Sequence, residues 1–347
     1  MTDPKPAGSA PVSPRWARVR RGALVSVAIL LACEAGAWAV LGGRSLSPAV
    51  FERDPDGRGH RLSPNAASRV RLLGRDALVS VDAAGHRRTI GAPRADAGVI
   101  SVHLVGDSQV FGWGLGDDET IASRLQAELG AGFRVVNHGV PGTGPFAYQA
   151  AIARIPAQEW TVVVHTEEND LWDAYGMAQN TSVRCGYLAP ALAGGLPCPV
   201  LGSRLFQVAG RLYEGLYYKY RPAPLGYHPY ARLATSVLLQ RATALYADAR
   251  GQRGPRIVFT YVPWVARYAA DRLPTYFPPP VSPERPLGFP DDCGAEAAFQ
   301  GGGRELYLDG DSHLSGEGAG RLAGAMAREL RRRLSSPQGN SPEEAAS

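Results

Sequence analysis

Short apolar segments alternate with segments of helical pattern over residues 99–334. Apolar runs without polar alternation predict strands buried on both faces. The predicted strands are residues 99–105, 133–137, 160–166 and 256–262, with a short last strand at 305–308. The predicted helices are residues 119–129, 145–154, 231–248 and 315–334. Strands that alternate with helices favour a parallel sheet, so we expect an α/β fold with helices on both faces of the sheet.

The N-terminal region predicts a transmembrane helix. Residues 22–41 form an apolar stretch of about the 20 residues that a bilayer requires. Residues 1–21 carry a net charge of +4, which leaves +1 of the formal +5 for the rest of the chain. This asymmetry favours a cytoplasmic N-terminus and an extracytoplasmic remainder, which is the periplasm in a Gram-negative cell. The nearly neutral remainder lacks the basic surface that nucleic acid requires, and we exclude that partner.

Other interpretations of the apolar segment stay open. It could be a cleaved signal peptide, although no A-x-A site followed by a polar start is evident. It could be a lipoprotein leader, because residues 30–33 loosely resemble a lipobox that ends at Cys33. We favour an uncleaved anchor. Glu34 inside the span must then snorkel, pair with a partner or mark a helix interface.

The segments around and within the α/β region differ in composition. We expect a disordered basic arm at residues 1–21, a linker with a small β hairpin at 44–98, a long insertion at about 171–230 and a disordered tail at 335–347. The hairpin strands are expected at residues 77–82 and 87–90.

The cysteines indicate a disulfide rather than a metal site. Cys185 and Cys198 bracket a loop rich in Gly, Pro and Leu, and an exported domain allows them to pair. Cys293 lies outside the span as well, so other pairings are possible. No spacing of Cys and His resembles a metal site, and we expect neither a metal nor another cofactor.

Polar residues that suit acyl transfer stand at or near the ends of predicted strands. In chain order they are Gly106-Asp107-Ser108, the segment from Asn137 to Gly142, Asn169-Asp170 and Asp311-Ser312-His313. Acyl transfer needs a nucleophilic hydroxyl, a base, a group that orients the base, and donors for the oxyanion. Parallel strands bring their carboxyl ends to one edge of the sheet, where open α/β folds place their ligands.

We therefore assign candidate roles to these residues. Ser108 is the candidate nucleophile, His313 the candidate base, and Asp311 the carboxylate that orients it, with Asp309 in reserve. The candidate oxyanion hole comprises the backbone amides of Ser108 and Gly142 and the side-chain amide of Asn169.

These four blocks, in this order, resemble the SGNH/GDSL hydrolase superfamily, in a membrane-anchored, extracytoplasmic branch. The resemblance covers roughly residues 99–334 and implies a flavodoxin-like, three-layer α/β/α fold. The sequence departs from the family pattern at two positions. Gly310 stands where many members carry Asp three residues before the histidine, and Glu167 stands where the third block has glycine.

The resemblance implies a serine esterase that acts on acyl esters, notably O-acetyl groups, of an extracytoplasmic glycan or similar envelope substrate. An O-acyltransferase would use the same triad, so the sequence does not separate the two activities. A non-catalytic glycan-binding scaffold and an esterase of membrane lipids are further alternatives. Protein partners and the oligomeric state are not indicated by the sequence.

Overall fold

The computed structural model describes residues 14–42, 44–55, 59–72, 74–94, 98–167, 170, 181–184, 186–190, 197–210, 212, 244, 247–263, 265, 268, 289–309 and 311–336. The strands are β1 (Phe51–Arg53), β2 (His60–Leu62), β3 (Ala67–Leu72), β4 (Arg75–Ser80), β5 (Ile100–Val105), β6 (Phe133–Asn137), β7 (Trp160–Thr166), β8 (Thr181–Arg184), β9 (Tyr187–Pro190) and β10 (Ile257–Val262). The helices are α1 (Pro14–Leu41), α2 (Ser108–Phe111), α3 (Ile121–Leu129), α4 (Pro145–Ile152), α5 (Cys198–Gly202), α6 (Ala295–Phe299) and α7 (Gly316–Leu334).

A four-stranded parallel sheet in the order β10-β7-β5-β6 forms the centre of the fold. All residues of β7 and β10 are buried, in agreement with the continuous apolar runs that predicted them. The mixed α/β class and the four parallel strands are therefore confirmed. The fifth predicted strand is wrong: Arg304–Leu306 is a 3-10 turn, and Tyr307 makes only an isolated bridge to Leu314. The amide of Leu308 donates to the His313 carbonyl across a tight loop, and not to the backbone of a neighbouring strand.

Alternate residues of the sheet contribute to two separate hydrophobic clusters. Leu104 and Val164 belong to the cluster that includes the apolar side chains of α3 and α7. Val105 and Val163 belong to the second cluster, together with Tyr148 and Ile152 of α4. Because successive strand residues point to opposite faces, the two clusters lie on opposite sides of the sheet. The full three-layer arrangement stays a prediction.

The described residues between 44 and 94 include short strands that pack onto the α/β region, where we expected a linker with one hairpin. Strand β1 pairs with β2 and β3 with β4, and their buried side chains form a third cluster that includes Phe111 of α2. The predicted strand at 77–82 corresponds to β4, but its partner is β3, and only a bridge between Val81 and Arg87 joins it to the following segment. Arg87 turns inward because its buried guanidinium binds the Asp117 carboxylate and the Leu115 carbonyl.

The N-terminal helix α1 contains an apolar segment, Arg18–Leu41, that is long enough to cross a membrane. A helix of this kind serves either as a membrane span or as a signal sequence. The expected disorder of residues 1–21 is wrong for residues 14–21, which belong to α1. Arg and Ala are good helix formers, and extending an existing helix avoids the cost of nucleation. Residues 1–13 and 337–347, where we also expected disorder, lie outside the described residues.

Candidate active site

Ser108 lies at the carboxyl end of β5, as the first residue of the short helix α2. Asp107 caps this helix by accepting a hydrogen bond from the Gln109 amide at 2.8 Å. Gly106 makes the tight turn possible, because a Cβ at this position would lie 2.4 Å from Val110 Cγ2 and 2.9 Å from the Val164 carbonyl oxygen. The Gly-Asp-Ser sequence thus holds the serine hydroxyl at the edge of the sheet where the strands end.

The structure brings His313 and Asp311 to Ser108 from the loop that precedes α7. The Nε2 of His313 lies 2.8 Å from Ser108 Oγ, and its Nδ1 lies 2.5 Å from an oxygen of Asp311. Asp311 also accepts a hydrogen bond from the His313 amide at 3.0 Å. Ser108, His313 and Asp311 therefore form a continuous line of contacts with the imidazole in the middle.

Asp309, the reserve candidate, lies away from the imidazole. Its carboxylate forms an ion pair with Arg304, and its side chain is 77% exposed. Asp311 is mostly buried, which by itself raises its pKa. The charge of His313 and the hydrogen bonds from His313 outweigh this effect, and the net pKa of Asp311 is lowered from its ordinary value. Asp311 thus remains ionised beside the histidine at neutral pH.

Gln109, which sequence reasoning did not assign, links the serine helix to the histidine loop. Its side-chain nitrogen donates to the Ser312 carbonyl at 3.1 Å, and its side-chain oxygen accepts from the Leu314 amide at 3.0 Å. Gln109 is buried, and its bond to the Leu314 amide is buried with it. The two residues that flank His313 are therefore fixed relative to the residue that follows Ser108.

The candidate oxyanion loop, residues 138–142, lies against α2. The Val140 amide donates to the Gly106 carbonyl, and a Cβ on Gly139 would lie 2.1 Å from the Phe111 nitrogen. Gly142 has a φ of +69°, a conformation that favours glycine. His60 of β2 supports the loop from outside, since its Nε2 lies 2.7 Å from the Pro141 carbonyl oxygen. This placement brings the segment that carries Gly142 alongside the helix that starts at Ser108.

Asn169, the third candidate oxyanion residue, lies outside the described residues. Its neighbour Asp170 is fully buried and ends a polar network just after β7. The Asp170 carboxylate accepts hydrogen bonds from the Tyr148 hydroxyl at 2.7 Å and the Thr166 amide at 3.1 Å, and it contacts His165 Nδ1 at 2.8 Å. In the Asn-Asp pair, the aspartate is thus a structural residue.

Asp107 has a buried carboxylate directly beside the candidate nucleophile. One oxygen accepts from the Gln109 amide and from the Thr166 hydroxyl at 2.9 Å, while Oδ2 has no hydrogen-bond partner among the described residues. Burial, reinforced by the negative charge of Asp170, raises the pKa of Asp107 to about 6. The Gly-Asp-Ser motif contains this residue, but no local pattern in the sequence indicates its burial.

The predicted disulfide is only partly covered by the described residues. Cys198 is disulfide-bonded, whereas Cys33 and Cys293 are free. Cys185 lies outside the described residues. Within the described part of the chain, no group of three or more His, Cys, Asp or Glu side chains is placed to hold a metal ion.

Comparisons with known proteins give no family assignment. No family model matches the chain, and no curated protein matches it significantly. The crystal structure of a carbohydrate acetylesterase family member from Sinorhizobium meliloti aligns over 68% of this chain and 98% of its own, with 16% sequence identity and a TM-score of 0.29. A second solved structure aligns over 69% of this chain and 100% of its own, with 12% identity and a TM-score of 0.29. At such low scores, only the geometry of the site supports a functional argument.

Proposed function

We propose that this chain is a serine esterase of the SGNH type. The observation that carries the proposal is the line of contacts from Ser108 Oγ through His313 to Asp311, with distances of 2.8 and 2.5 Å. The proposed substrates are ester-linked acyl groups, in particular O-acetyl groups, of an extracytoplasmic glycan or a similar envelope molecule. The sequence resemblance is the support for this substrate class and this location.

In the first half of the proposed reaction, Ser108 Oγ attacks the ester carbonyl carbon and its proton passes to His313 Nε2. Asp311 keeps the other imidazole proton on Nδ1, so that Nε2 is free to accept, and it stabilises the imidazolium. The carbonyl π electrons move to the oxygen, which the amides of Ser108 and Gly142 and the side chain of Asn169 would stabilise. His313 then protonates the leaving alcohol, and an acyl-serine remains.

In the second half, water replaces the alcohol. His313 removes a proton from the water as it attacks the acyl carbonyl, and the second tetrahedral intermediate uses the same oxyanion donors. Its collapse releases the carboxylic acid and returns the proton to Ser108 Oγ. No oxidant, reductant or cofactor enters this balance.

Hydrolysis of an aryl acetate by the full chain in detergent micelles tests the proposal. We expect the parent protein to release the phenol and Ser108→Ala to lose about 10³-fold or more of the rate, because the hydroxyl that forms the acyl-serine is removed. Ser312→Ala is the matched control, since its contact to Gln109 uses the backbone carbonyl and survives the substitution. Equal rates for the parent and Ser108→Ala would overturn the assignment of the nucleophile.

The same experiment separates hydrolysis from transfer. Mass spectrometry of the intact protein after a short exposure to the aryl acetate reports an acyl group on Ser108. If that group leaves only after a saccharide is added, and the saccharide gains it, the acceptor is a sugar hydroxyl and the chain is an acyltransferase. A folded parent protein that neither releases phenol nor becomes acylated would contradict serine acyl chemistry altogether.

A further inference from the structure

Glu34 lies within the apolar helix α1, yet its carboxylate is bound by a segment far away in the chain. One oxygen accepts hydrogen bonds from the Ser203 hydroxyl at 2.7 Å and the Leu205 amide at 2.8 Å, and the other accepts from the Arg204 amide at 2.8 Å. Residues 204–210 are helical, so these amides belong to a first helical turn and have no partner within the helix. The Glu34 carboxylate therefore accepts hydrogen bonds from amides at the helix start that would otherwise lack a partner.

A second contact fixes the same segment just beyond the end of α1. The side-chain oxygen of Gln207 accepts from the Ser45 hydroxyl at 3.0 Å and the Leu46 amide at 2.8 Å. Between these contacts the chain leaves α1 at Leu41, and Arg44 is the first charged residue, paired with Asp76 at 3.0 Å. Residues 203–207 therefore contact α1 at Glu34 and the chain just beyond α1 at Ser45 and Leu46.

The position of Glu34 sets the depth of the inner contact. Leu41 lies seven positions after Glu34, which corresponds to about 10 Å along a helix axis. If α1 spans a bilayer, Glu34 lies about that far inside the point where the helix emerges. In hydrocarbon, unpaired carboxylates and unpaired amides are both strongly unfavourable, so the mutual pairing at Glu34 is the arrangement that a nonpolar environment requires.

The composition of the attached segment suits the same environment. Arg204 is the only charged residue among residues 197–210. Val200, near the start of the segment, is 38% exposed, and Leu212, two positions beyond its end, is 63% exposed, so apolar side chains face outward within the segment and just after it. An anchor that served only as a tether would not need a polar residue in the span to hold a part of the globular region.

We propose that residues 197–210 form a second membrane-inserted element, held beside the span by Glu34, whose outer surface contacts lipid acyl chains. The domain is then seated on the bilayer through this element, and α1 is a permanent part of the fold. Of the three explanations that the sequence left open for Glu34, this proposal corresponds to pairing, and the partner is a segment of the same chain. It does not depend on the proposed esterase activity.

Lipid quenching in the full chain, reconstituted into phosphatidylcholine vesicles, tests the insertion. An environment-sensitive fluorophore is attached at Val200→Cys in a background of Cys33→Ser and Cys293→Ser, and lipids with a spin label on the acyl chain serve as quenchers. Val40→Cys in α1 is the positive control, and Ile90→Cys, 44% exposed on the domain, is the negative control. We expect position 200 to be quenched like position 40 and position 90 to be unaffected. If position 200 behaves like position 90, the insertion is refuted.

Substitution of Glu34 tests its role. Glu34→Leu removes every acceptor, and we expect the quenching at position 200 to fall at least twofold and exchange of the Arg204 and Leu205 amides to accelerate at least tenfold. Glu34→Gln retains a side-chain oxygen and should preserve most of both signals. If Glu34→Leu leaves both signals unchanged in a protein with parental circular dichroism, Glu34 does not hold the segment.

Discussion

The side-chain oxygen of Gln109 accepts a hydrogen bond from the Leu314 amide at 3.0 Å, and so joins the residue after Ser108 to the residue after His313. The second bond, from the Gln109 side-chain nitrogen to the Ser312 carbonyl, fixes the other neighbour of the histidine. The Ser108–His313 contact therefore does not depend on the flexibility of the histidine loop. Catalysis by a serine and a histidine requires this kind of fixed geometry.

We call the two hydrogen bonds from Gln109 to the neighbours of His313 the Gln109 clamp. The clamp predicts that Gln109→Met reduces turnover without preventing folding. Methionine has a similar volume but cannot bond to the backbone on either side of His313, so the imidazole loses its fixed distance to Ser108. We expect kcat for an aryl acetate to fall by about 10- to 100-fold with little change in KM. Steady-state kinetics on the full chain measures both parameters.

Gln126→Met is the matched control for this substitution. Gln126 makes an equivalent clamp far from the site, donating to the Gly130 and Phe133 carbonyls and accepting from the Val135 amide. Its replacement should lower stability and leave kcat unchanged. If both variants lose turnover equally, the effect of Gln109 is a general loss of stability rather than a displacement of His313.

Substitution of the two aspartates before His313 should affect kcat very differently. Asp311→Asn removes the charge that lies 2.5 Å from His313 Nδ1, and kcat should fall by about 10²- to 10⁴-fold. Asp309→Asn breaks only an exposed ion pair with Arg304 and should leave kcat within about twofold of the parent. Kinetics of the two variants under identical conditions decides between the residues, and a larger loss in Asp309→Asn would reverse the assignment.

The sequence predicted those parts of the fold that have a strong local pattern. Strand β7 is buried at every position, and such a strand produces an uninterrupted apolar run. Strands β1 and β2 have three residues each, too few to establish a period. Their burial arises from packing near Phe111, which no local pattern contains. Residues 44–98 were therefore mistaken for a linker.

The residues of the candidate site were also predictable only where they stand in a local motif. Ser108 and His313 stand in short motifs that mark the ends of elements, but the choice between Asp309 and Asp311 depends on how the loop turns. The Asp311 amide binds the Leu308 carbonyl, and this turn directs Asp311 toward the imidazole. The contacts of Gln109 join residues at least 203 positions apart, and those of Glu34 join residues at least 169 positions apart, so that only the folded chain reveals them.

The buried carboxylate of Asp107 predicts a pH-dependent stability. Its pKa is about 6 in the folded protein against an ordinary value of 3.8, so the folded state binds the proton more tightly than the unfolded state. Ionisation of Asp107 therefore destabilises the fold: its contribution to the free energy of unfolding falls as the pH rises from about 4 to about 6, by about 3 kcal/mol in total. Asp107→Asn, which still caps α2, should remove this loss.

Urea unfolding of the full chain between pH 4 and pH 8, followed by near-UV circular dichroism, measures the effect. The stability gained by Asp107→Asn should be near zero at pH 4 and largest above pH 6. Asp118→Asn, an exposed substitution eleven positions away, should follow the parent at every pH. A gain from Asp107→Asn that is independent of pH would show that the carboxylate does not titrate in this range.

The contact between Gly139 and α2 predicts that even one methyl group displaces the candidate oxyanion loop. In Gly139→Ala the new Cβ would lie 2.1 Å from the Phe111 nitrogen, and backbone atoms on both sides must separate. Because Gly142 follows three residues later, its amide moves away from Ser108, and kcat should fall by about 10- to 100-fold. Overpacking should also lower the free energy of unfolding by about 1–3 kcal/mol.

Gly132→Ala is the control for this last substitution, since a Cβ there has no atom within 4 Å and the backbone is not left-handed. It should leave both kcat and stability unchanged. The decisive comparison is kcat per folded molecule, with the folded fraction taken from circular dichroism. A Gly139→Ala protein that is less stable but turns over at the parental rate would place the oxyanion donors outside this loop, because the loop cannot move away from α2 and still hold Gly142 at the reacting carbonyl.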